Sequence, residues 1–368
     1  MNKPIILHLI PSLALVGGTS AKVRVLIANS QYQHIVCYQK KDINNKYIHE
    51  WKKLKNCILI EGITRINYLK DIYIVNEILK KHHANIIHVY FPPDTITASI
   101  VKRINPNIKL IRSFEGNVEQ SILKKSIIKF FLRNFDKIIY ISKYVNNFYK
   151  VRIPKSLENN SVIIFNSAAR QSLLKKPICH KADAKKIVTV SGLNSSKNLF
   201  ILIEAMRILR ERDPNIHLDI LGDGELKEQL QNLIDQYCLQ DNVTLQGYST
   251  DVLKYLDSSS IYVHPANNEG FGMAVIEAMQ RYCAIIVSNA GALPEIITHN
   301  VDGLITSVND YKEWANTIYS LLNNQSLIDN LGREAYKTAT TKFNTKLYTY
   351  NHDILYQNII AVPLKWDD

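Results

Sequence analysis

Residues 261–282 read IYVHPANNEGFGMAVIEAMQRY, and this stretch concentrates the residue types best suited to chemistry. A short apolar run ends at His264-Pro265, a polar loop Ala266-Asn267-Asn268 follows, and Glu269-Gly270-Phe271-Gly272 opens a predicted helix. Glycines there let a ligand approach the backbone closely. Free amides at a helix start favour an anion such as a diphosphate. Glu277 lies eight residues beyond Glu269, about two helical turns. Carboxylates accept hydrogen bonds from hydroxyl pairs, so sugar and ribose hydroxyls are natural partners for both. The same pattern fits a surface helix with two solvated acids behind a glycine turn, and the residues alone leave both readings open.

Other chemistries find less support. No D-x-D pair occurs, although two carboxylates at one strand end commonly share a divalent cation. Glycine amides and lysines are available instead, so a reaction without metal or other cofactor is expected. The eleven histidines include His82-His83 but no H-x-x-x-H pair on a predicted helix. The five cysteines (Cys37, Cys57, Cys179, Cys238 and Cys283) are scattered, odd in number and free of any C-x-x-C pair. That argues against a disulfide framework and a structural zinc site, and it fits a reducing cytoplasm.

The elements that would position these residues alternate. PIILHLI, QHIVCY, CILIEGI, NIIHVYF, KLIRSF, KIIYIS and SVIIFN read as strands in the first half, with helices predicted over 71–81 and 95–103. KIVTVSG, IHLDILG, NVTLQG, SIYVHP and AIIVSN read as strands in the second, separated by helices at about 198–211, 225–237, 251–257 and 272–282. The fold class is therefore α/β, with two Rossmann-like doubly wound domains expected to face a central cleft. A length of 368 residues suits two cores better than one. The predicted domains are 1–170 and 171–343, joined through the weakly patterned stretch 168–184. Residues 344–368 are read as a C-terminal helix packing back towards the first domain. The N-terminal apolar run is broken by Pro4 and Pro11, so it reads as a strand and not as a signal peptide. No run of 18 apolar residues occurs to span a bilayer.

Charge is divided unevenly. Residues 1–170 hold 27 Lys+Arg against 10 Asp+Glu, net +17, while the remainder holds 18 against 23, net −5. A basic half attracts phosphate groups, whether of nucleic acid, lipid or nucleotide. Within it, Lys125, Lys129, Arg133 and Lys137 recur every four residues, predicting a basic stripe on a helix over 121–137. Such a helix is either an ordinary domain helix or a surface for an anionic membrane or acceptor. The charge of this half favours the membrane face. Nucleic acid is not expected, because no reader motif accompanies the charge.

The Glu269–Glu277 segment resembles the E-x7-E signature of family 4 retaining glycosyltransferases, which have the GT-B fold. Further pieces follow in that family's order. Gly17-Gly18-Thr19 resembles its N-terminal glycine loop, and Val162 to Ser167 resembles its N-G turn with serine for glycine. Gly222-Asp223-Gly224, Gly247, the run Ser288 to Glu295, and Asp302-Gly303-Leu304 complete a series covering nearly the whole chain.

The resemblance implies roles. Glu269 would contact the donor sugar and Glu277 the ribose, while the amides of Gly270, Phe271 and Gly272 bind sugar and diphosphate. Gly17, Gly18, Gly222 and Gly224 would complete the donor site, and Lys197 would neutralise the leaving diphosphate. Two departures stand out. The family's arginine ahead of that lysine is absent, since Ser191-Gly192-Leu193 stands there. Its N-domain histidine is also missing, and Glu115 occupies the equivalent place. Glu115 could hydrogen-bond or deprotonate an acceptor hydroxyl, or merely cap the following helix near Asn117.

The implied activity is a metal-independent, retaining transfer of a hexose or N-acetylhexosamine from a nucleotide diphosphate sugar, with UDP favoured. The acceptor would be a saccharide, expected to be lipid-linked, in surface polysaccharide biosynthesis such as lipopolysaccharide or capsule. The enzyme would act in the cytoplasm or on the cytoplasmic face of the inner membrane. A nucleotide-sugar epimerase and a non-catalytic GT-B scaffold are the alternatives. A nicotinamide dehydrogenase lacks its G-x-G-x-x-G after the first strand.

Overall fold

Short runs rich in Ile, Val and Leu form strands buried on both faces, the pattern of a parallel sheet covered by helices. The computed structural model describes residues 3–15, 18–39, 47–117, 121–168 and 185–361. The chain divides into two compact units, Met1–Ala169 with Thr345–Asp368, and Arg170–Asn344.

The first unit's sheet contains β1 (Ile5–Ile10), β2 (Gln33–Gln39), β3 (Cys57–Ile63), β4 (Ile86–Val89), β5 (Lys109–Phe114), β6 (Lys137–Tyr140) and β7 (Ser161–Ile163). Their order is β3-β2-β1-β4-β5-β6-β7, and every pairing is parallel. The connections therefore change direction between β1 and β4, which opens a crevice at the carboxyl ends of those strands. Helix Gly18–Asn29 follows β1 and is buried from Thr19 to Ile27. The sequence pattern does not announce it, because a helix buried all round shows no polar face to mark its period. It packs against the C-terminal helix Thr345–Ala361. There Asp353 accepts hydrogen bonds from Ser30 Oγ at 2.6 Å and the Gln31 amide at 3.1 Å.

The second unit's sheet contains β8 (Lys186–Val190), β9 (His217–Leu221), β10 (Val243–Gly247), β11 (Ile261–His264), β12 (Ala284–Ser288) and β13 (Leu304–Thr306). The order β10-β9-β8-β11-β12-β13 is again parallel throughout, with its change of direction between β8 and β11. Strand β13 and the helices Tyr311–Leu322 and Gln325–Lys342 add to the predicted elements. Trp314, fully buried, closes this core and donates through Nε1 to the Ser307 carbonyl at 2.9 Å.

The basic stripe needs correcting. The helix spans Ile122–Leu132, Arg133 caps it, and Lys137 is the first residue of β6. The chain must leave the helix there because Ile138, Ile139 and Tyr140 belong to the sheet core. Lys125 and Lys129 are half-buried, whereas Leu123, Ile127 and Phe130 point outward at 72%, 40% and 47% exposure. Spacings of four and three residues place these three apolar side chains on one outer ridge. Among the described residues, no helix is long and apolar enough to cross a membrane.

Candidate active site

In the second unit, two loops meet where the sheet changes direction. The loop after β8 carries a short 3-10 turn, Ser195–Lys197, started by Asn194, whose side chain accepts from the Ser196 amide at 3.1 Å. The loop after β11 carries Glu269 and is tied to the first loop, because the amides of Asn267 and Asn268 both donate to the Ser196 carbonyl. Lys197 Nζ consequently lies 2.6 Å from Glu269 Oε2. His264, the last residue of β11, places Nε2 3.0 Å from the same oxygen, while Tyr262 OH sits 3.2 Å from His264 Nδ1.

Burial alone would push the Glu269 carboxyl up. The His264 hydrogen bond and the Lys197 charge outweigh it, holding the group well below the usual carboxylate range. Glu269 therefore stays ionised at neutral pH. Its other oxygen, Oε1, accepts from the Phe271 amide at 3.3 Å. Its own backbone is fixed by Gly291, where a Cβ would come 2.4 Å from the Glu269 carbonyl oxygen, and by the Ala292 amide, 2.8 Å from that oxygen. Gly272, at φ +100°, precedes helix Met273–Met279, which carries Glu277. Glu277 is buried, and its field combines with that of Glu269 to raise the Tyr262 hydroxyl, on top of the larger effect of burial.

Gly222 and Gly224 lie against the other loop. A Cβ at Gly222 would come 1.8 Å from the Ser191 carbonyl oxygen, and one at Gly224 2.4 Å from that of Leu193. Their absent side chains let the β9 loop seat the segment that leads to Lys197. A Cβ at Gly192, where the family places its arginine, has only Asn194 Nδ2 and the Asp223 carbonyl oxygen within 4 Å.

In the first unit, Gly18 begins its helix at φ +62°, and Gly17 lies outside the described residues. Glu115 follows β5 and forms an ion pair with Lys22 of that helix, with side-chain exposures of 16% and 7%. It does not cap the next helix, whose N-cap is Ser121. Behind this pair runs a buried ring network. His8 and His88 are register partners on β1 and β4. His8 Nε2 is 2.9 Å from His34 Nδ1, and His8 Nδ1 is 2.9 Å from Tyr90 OH. His88 Nδ1 is 2.8 Å from Tyr356 OH, and its Nε2 is 2.7 Å from Ser113 Oγ. Burial, reinforced by the proximity of the imidazoles to one another, of Arg112 to His88 and of Lys22 to His352, lowers His8 and His88 far below the usual histidine value, His34 to about 3 and His352 to about 4.

Sequence reasoning does not single out His264 or Lys22. His264 has one usable signal, its place at the carboxyl end of a strand beside the carboxylate loop. Lys22 has another, a lysine within the turn that follows the glycine pair. No group of three or more His, Cys, Asp or Glu among the described residues is arranged to hold a metal ion.

Residues 171–338 match the family model described as glycosyl transferases group 1, so the match covers nearly all of the second unit. An uncharacterized glycosyltransferase of Methanocaldococcus jannaschii is 26% identical over 349 residues, covering 91% of this chain and 93% of the relative. An Escherichia coli relative, named UDP-Gal:alpha-D-GlcNAc-diphosphoundecaprenol alpha-1,3-galactosyltransferase, is 24% identical over 342 residues, covering 87% and 88%. Among solved structures, Anabaena Alr3699/HepE in complex with UDP superposes with a TM-score of 0.80 at 16% identity, covering 96% of this chain and all of that one. Both units thus have the Rossmann-like folds of solved GT-B structures, and the second unit is similar to the glycosyl transferase family model.

Proposed function

We propose that this protein transfers a hexose or N-acetylhexosamine from a UDP-sugar, with retention and without a metal, to a lipid-linked saccharide. The observation that carries the reading is the Lys197–Glu269–His264 cluster at the point where the second sheet changes direction. Glu269, held ionised and aimed by three partners, suits the sugar hydroxyls, and Glu277 on the following helix suits the ribose. Lys197 supplies positive charge where negative charge develops as the nucleotide diphosphate departs. Its ammonium leaves Glu269 for the diphosphate as the donor enters, and the carboxylate turns to the sugar. The acceptor oxygen bonds to the anomeric carbon from the face the diphosphate leaves, and the acceptor proton passes to that departing oxygen. Glu115 orients the acceptor hydroxyl, with Lys22 fixing where its oxygens point.

UDP is supported by the HepE complex, and retention and a lipid diphosphate acceptor by the name of the Escherichia coli relative. A membrane-facing role for helix Ile122–Leu132 is supported by its outer ridge. Arg103 and Arg133 place their guanidinium carbons 5.6 and 5.9 Å from the Phe130 ring centre, giving that apolar ridge a cationic rim. Apolar insertion with a basic border suits an anionic bilayer surface.

The test uses the purified protein with UDP- and GDP-sugars, in EDTA and in magnesium, with lipid-diphosphate saccharides as acceptors. The expected result is an α-linked product from one UDP-sugar, formed equally well in EDTA. An altered nucleotide sugar appearing without acceptor would make the protein an epimerase instead. Failure of any nucleotide to raise the melting temperature would remove the donor site from the reading.

A further inference from the structure

Tyr262 and His264 project from the same side of β11, and their rings stack with centres 6.1 Å apart. Both are buried, and the partners around them fix the direction of each hydrogen bond. Tyr262 OH lies 3.3 Å from the Val190 carbonyl oxygen, which can only accept. The single phenolic proton therefore goes to Val190, and the Tyr262 oxygen meets His264 Nδ1, at 3.2 Å, with a lone pair. Nδ1 must carry a proton to make that bond. On the other side of the ring, Nε2 lies 3.0 Å from Glu269 Oε2, an oxygen of a carboxylate held ionised, which also only accepts. Nε2 must carry a proton as well. A neutral imidazole, with one N–H, leaves one of these three contacts without a proton between its atoms, whereas an imidazolium satisfies them all. Glu277 works in the same direction from helix Met273–Met279, because its field and that of Glu269 both act on Tyr262. The stacked pair thus lies in the field of two carboxylates, which favours a cation.

The extra charge bears on what the loop after β8 lacks. The resemblance implies an arginine ahead of Lys197, and Gly192 stands in its place. With a neutral ring, the charges of Lys197 and Glu269 would cancel and offer a diphosphate no net attraction. With an imidazolium, the formal charges of Lys197, His264 and Glu269 sum to +1. The contact of Tyr262 with Val190 sets this cation beside the end of β8, the strand that leads to Gly192. We infer that His264 is held as an imidazolium that neutralises Glu269, so that Lys197 is released to the nucleotide diphosphate and the missing arginine is offset. Its side chain is only 3% exposed, so His264 acts through Glu269 as a positioning residue and does not touch the donor. This inference deepens the proposed function and rests on it for the diphosphate, whereas the charge of the ring is measured without turnover.

The experiment records nitrogen-15 spectra of the full chain, labelled at histidine, at pH 7. The two ring nitrogens have nearly equal shifts in an imidazolium and widely separated shifts in a neutral ring, and the His264 signals are those lost in His264→Gln. The imidazolium pattern is expected, and a neutral pattern overturns the inference whatever nucleotide binding shows. Calorimetry with UDP-glucose, whose diphosphate has no proton to lose in this range, then follows affinity between pH 6 and 9. His264→Gln keeps a donor towards Glu269 without the charge, and at pH 7 it should bind about tenfold more weakly than wild type. The difference should shrink as pH rises and the wild-type ring loses its proton. Equal affinity at pH 7 overturns the role in donor binding. Tyr262→Phe removes the acceptor of the Nδ1 proton, so its affinity should fall at a lower pH than that of wild type. A fall displaced to higher pH would mean that the hydroxyl donates to a neutral ring, which also overturns the inference. An imidazolium in a protein that binds no UDP-glucose would remove the transferase reading and the role with it but leave the charge assignment, so the two failures give different results.

Discussion

The two units solve one topological problem with different chemistry. Each has a parallel sheet whose connections change direction beside its first strand, at β1/β4 in one and β8/β11 in the other. At the second unit's change point, loops bring an ammonium, a carboxylate and an imidazole together at the strand ends. At the first unit's, the Lys22–Glu115 pair stands at the rim, and behind it the sheet is threaded by neutral, buried imidazoles joined to phenols. A fixed charge cluster in a partly closed site is suited to stabilising charge that moves. A neutral network in a core is suited to holding strands and the C-terminal helix in register. The same crevice rule thus locates both sites without saying what either does.

Breaking the charged cluster should have the largest effect on turnover. Glu269→Gln keeps the shape but removes the charge, and it should lower kcat by roughly 100- to 1000-fold, about 3–4 kcal/mol. UDP-induced melting shifts should be retained, because the proposed function holds the nucleotide through Glu277 and not through Glu269. The check is release of UDP during acceptor glycosylation, and activity within threefold of wild type would remove Glu269 from the chemistry.

Glycines sharpen the contrast at the level of stability. Gly222→Ala forces a Cβ to within 1.8 Å of the Ser191 carbonyl oxygen, so the second unit should lose about 3 kcal/mol or more. Gly18→Ala in the first unit meets nothing within 4 Å and carries only the cost of a left-handed backbone, about 1 kcal/mol. Denaturant unfolding of both variants measures the difference. Equal losses would mean that the β9 loop yields, and that Gly222 does not seat the segment leading to Lys197.

That contrast also explains what could be read from the sequence. The glycine and carboxylate loops of the second unit lie in short local stretches, and it is their resemblance to the family's motifs that assigns Glu269, Lys197, Gly222 and Gly224 to one site, after the strands β11, β8 and β9. Alternating strands and helices likewise make the doubly wound class legible. Tyr356 pairing with His88 across 268 residues leaves no local trace, and neither does Lys22 reaching Glu115 across 93. The helix Gly18–Asn29 is invisible because burial on every side erases the polar period, and the stripe ending at Lys137 misleads because spacing alone cannot show where a helix stops. His264 lies within the most informative stretch of all, yet only its place at a strand end marks it, since its role depends on a carboxylate that folds back onto it.

The histidine network predicts an acid response that the charged cluster does not share. His8, His34, His88 and His352 have folded pKa values below that of an unfolded histidine, near 6.5. Above that pH both states are neutral and stability is flat. As pH falls below it, only the unfolded chain gains protons, so stability drops by about 1.4 kcal/mol per pH unit for each histidine. Glu269 has the opposite shift. Its contribution is complete above the unfolded carboxyl value and is lost only as pH falls below it, so it adds no slope between pH 5 and 6.5. Unfolding free energies at pH 7, 6 and 5 should therefore show a loss carried by the first unit. His352→Asn should reduce the slope between pH 6 and 5 by about 1.4 kcal/mol per pH unit, and an unchanged slope would show that this imidazole is protonated in the fold.

The smallest effect concerns the join between the C-terminal helix and the first sheet. Tyr356→Phe deletes one hydroxyl from a fully buried ring and leaves its packing intact. His88 Nδ1 would keep Tyr90 OH at 3.2 Å as a second partner, so it is not left unpaired. The expected loss is consequently that of one exchanged hydrogen bond, about 1 kcal/mol, and not the larger penalty of an orphaned buried group. A double-mutant cycle with Tyr90→Phe separates the two cases. If the hydroxyls substitute for one another, removing both should cost more than the sum of the single losses, because only then does His88 Nδ1 lose every phenol. Strict additivity would mean that each hydroxyl serves a different imidazole, with Tyr90 committed to His8 and Tyr356 alone fixing the helix to β4.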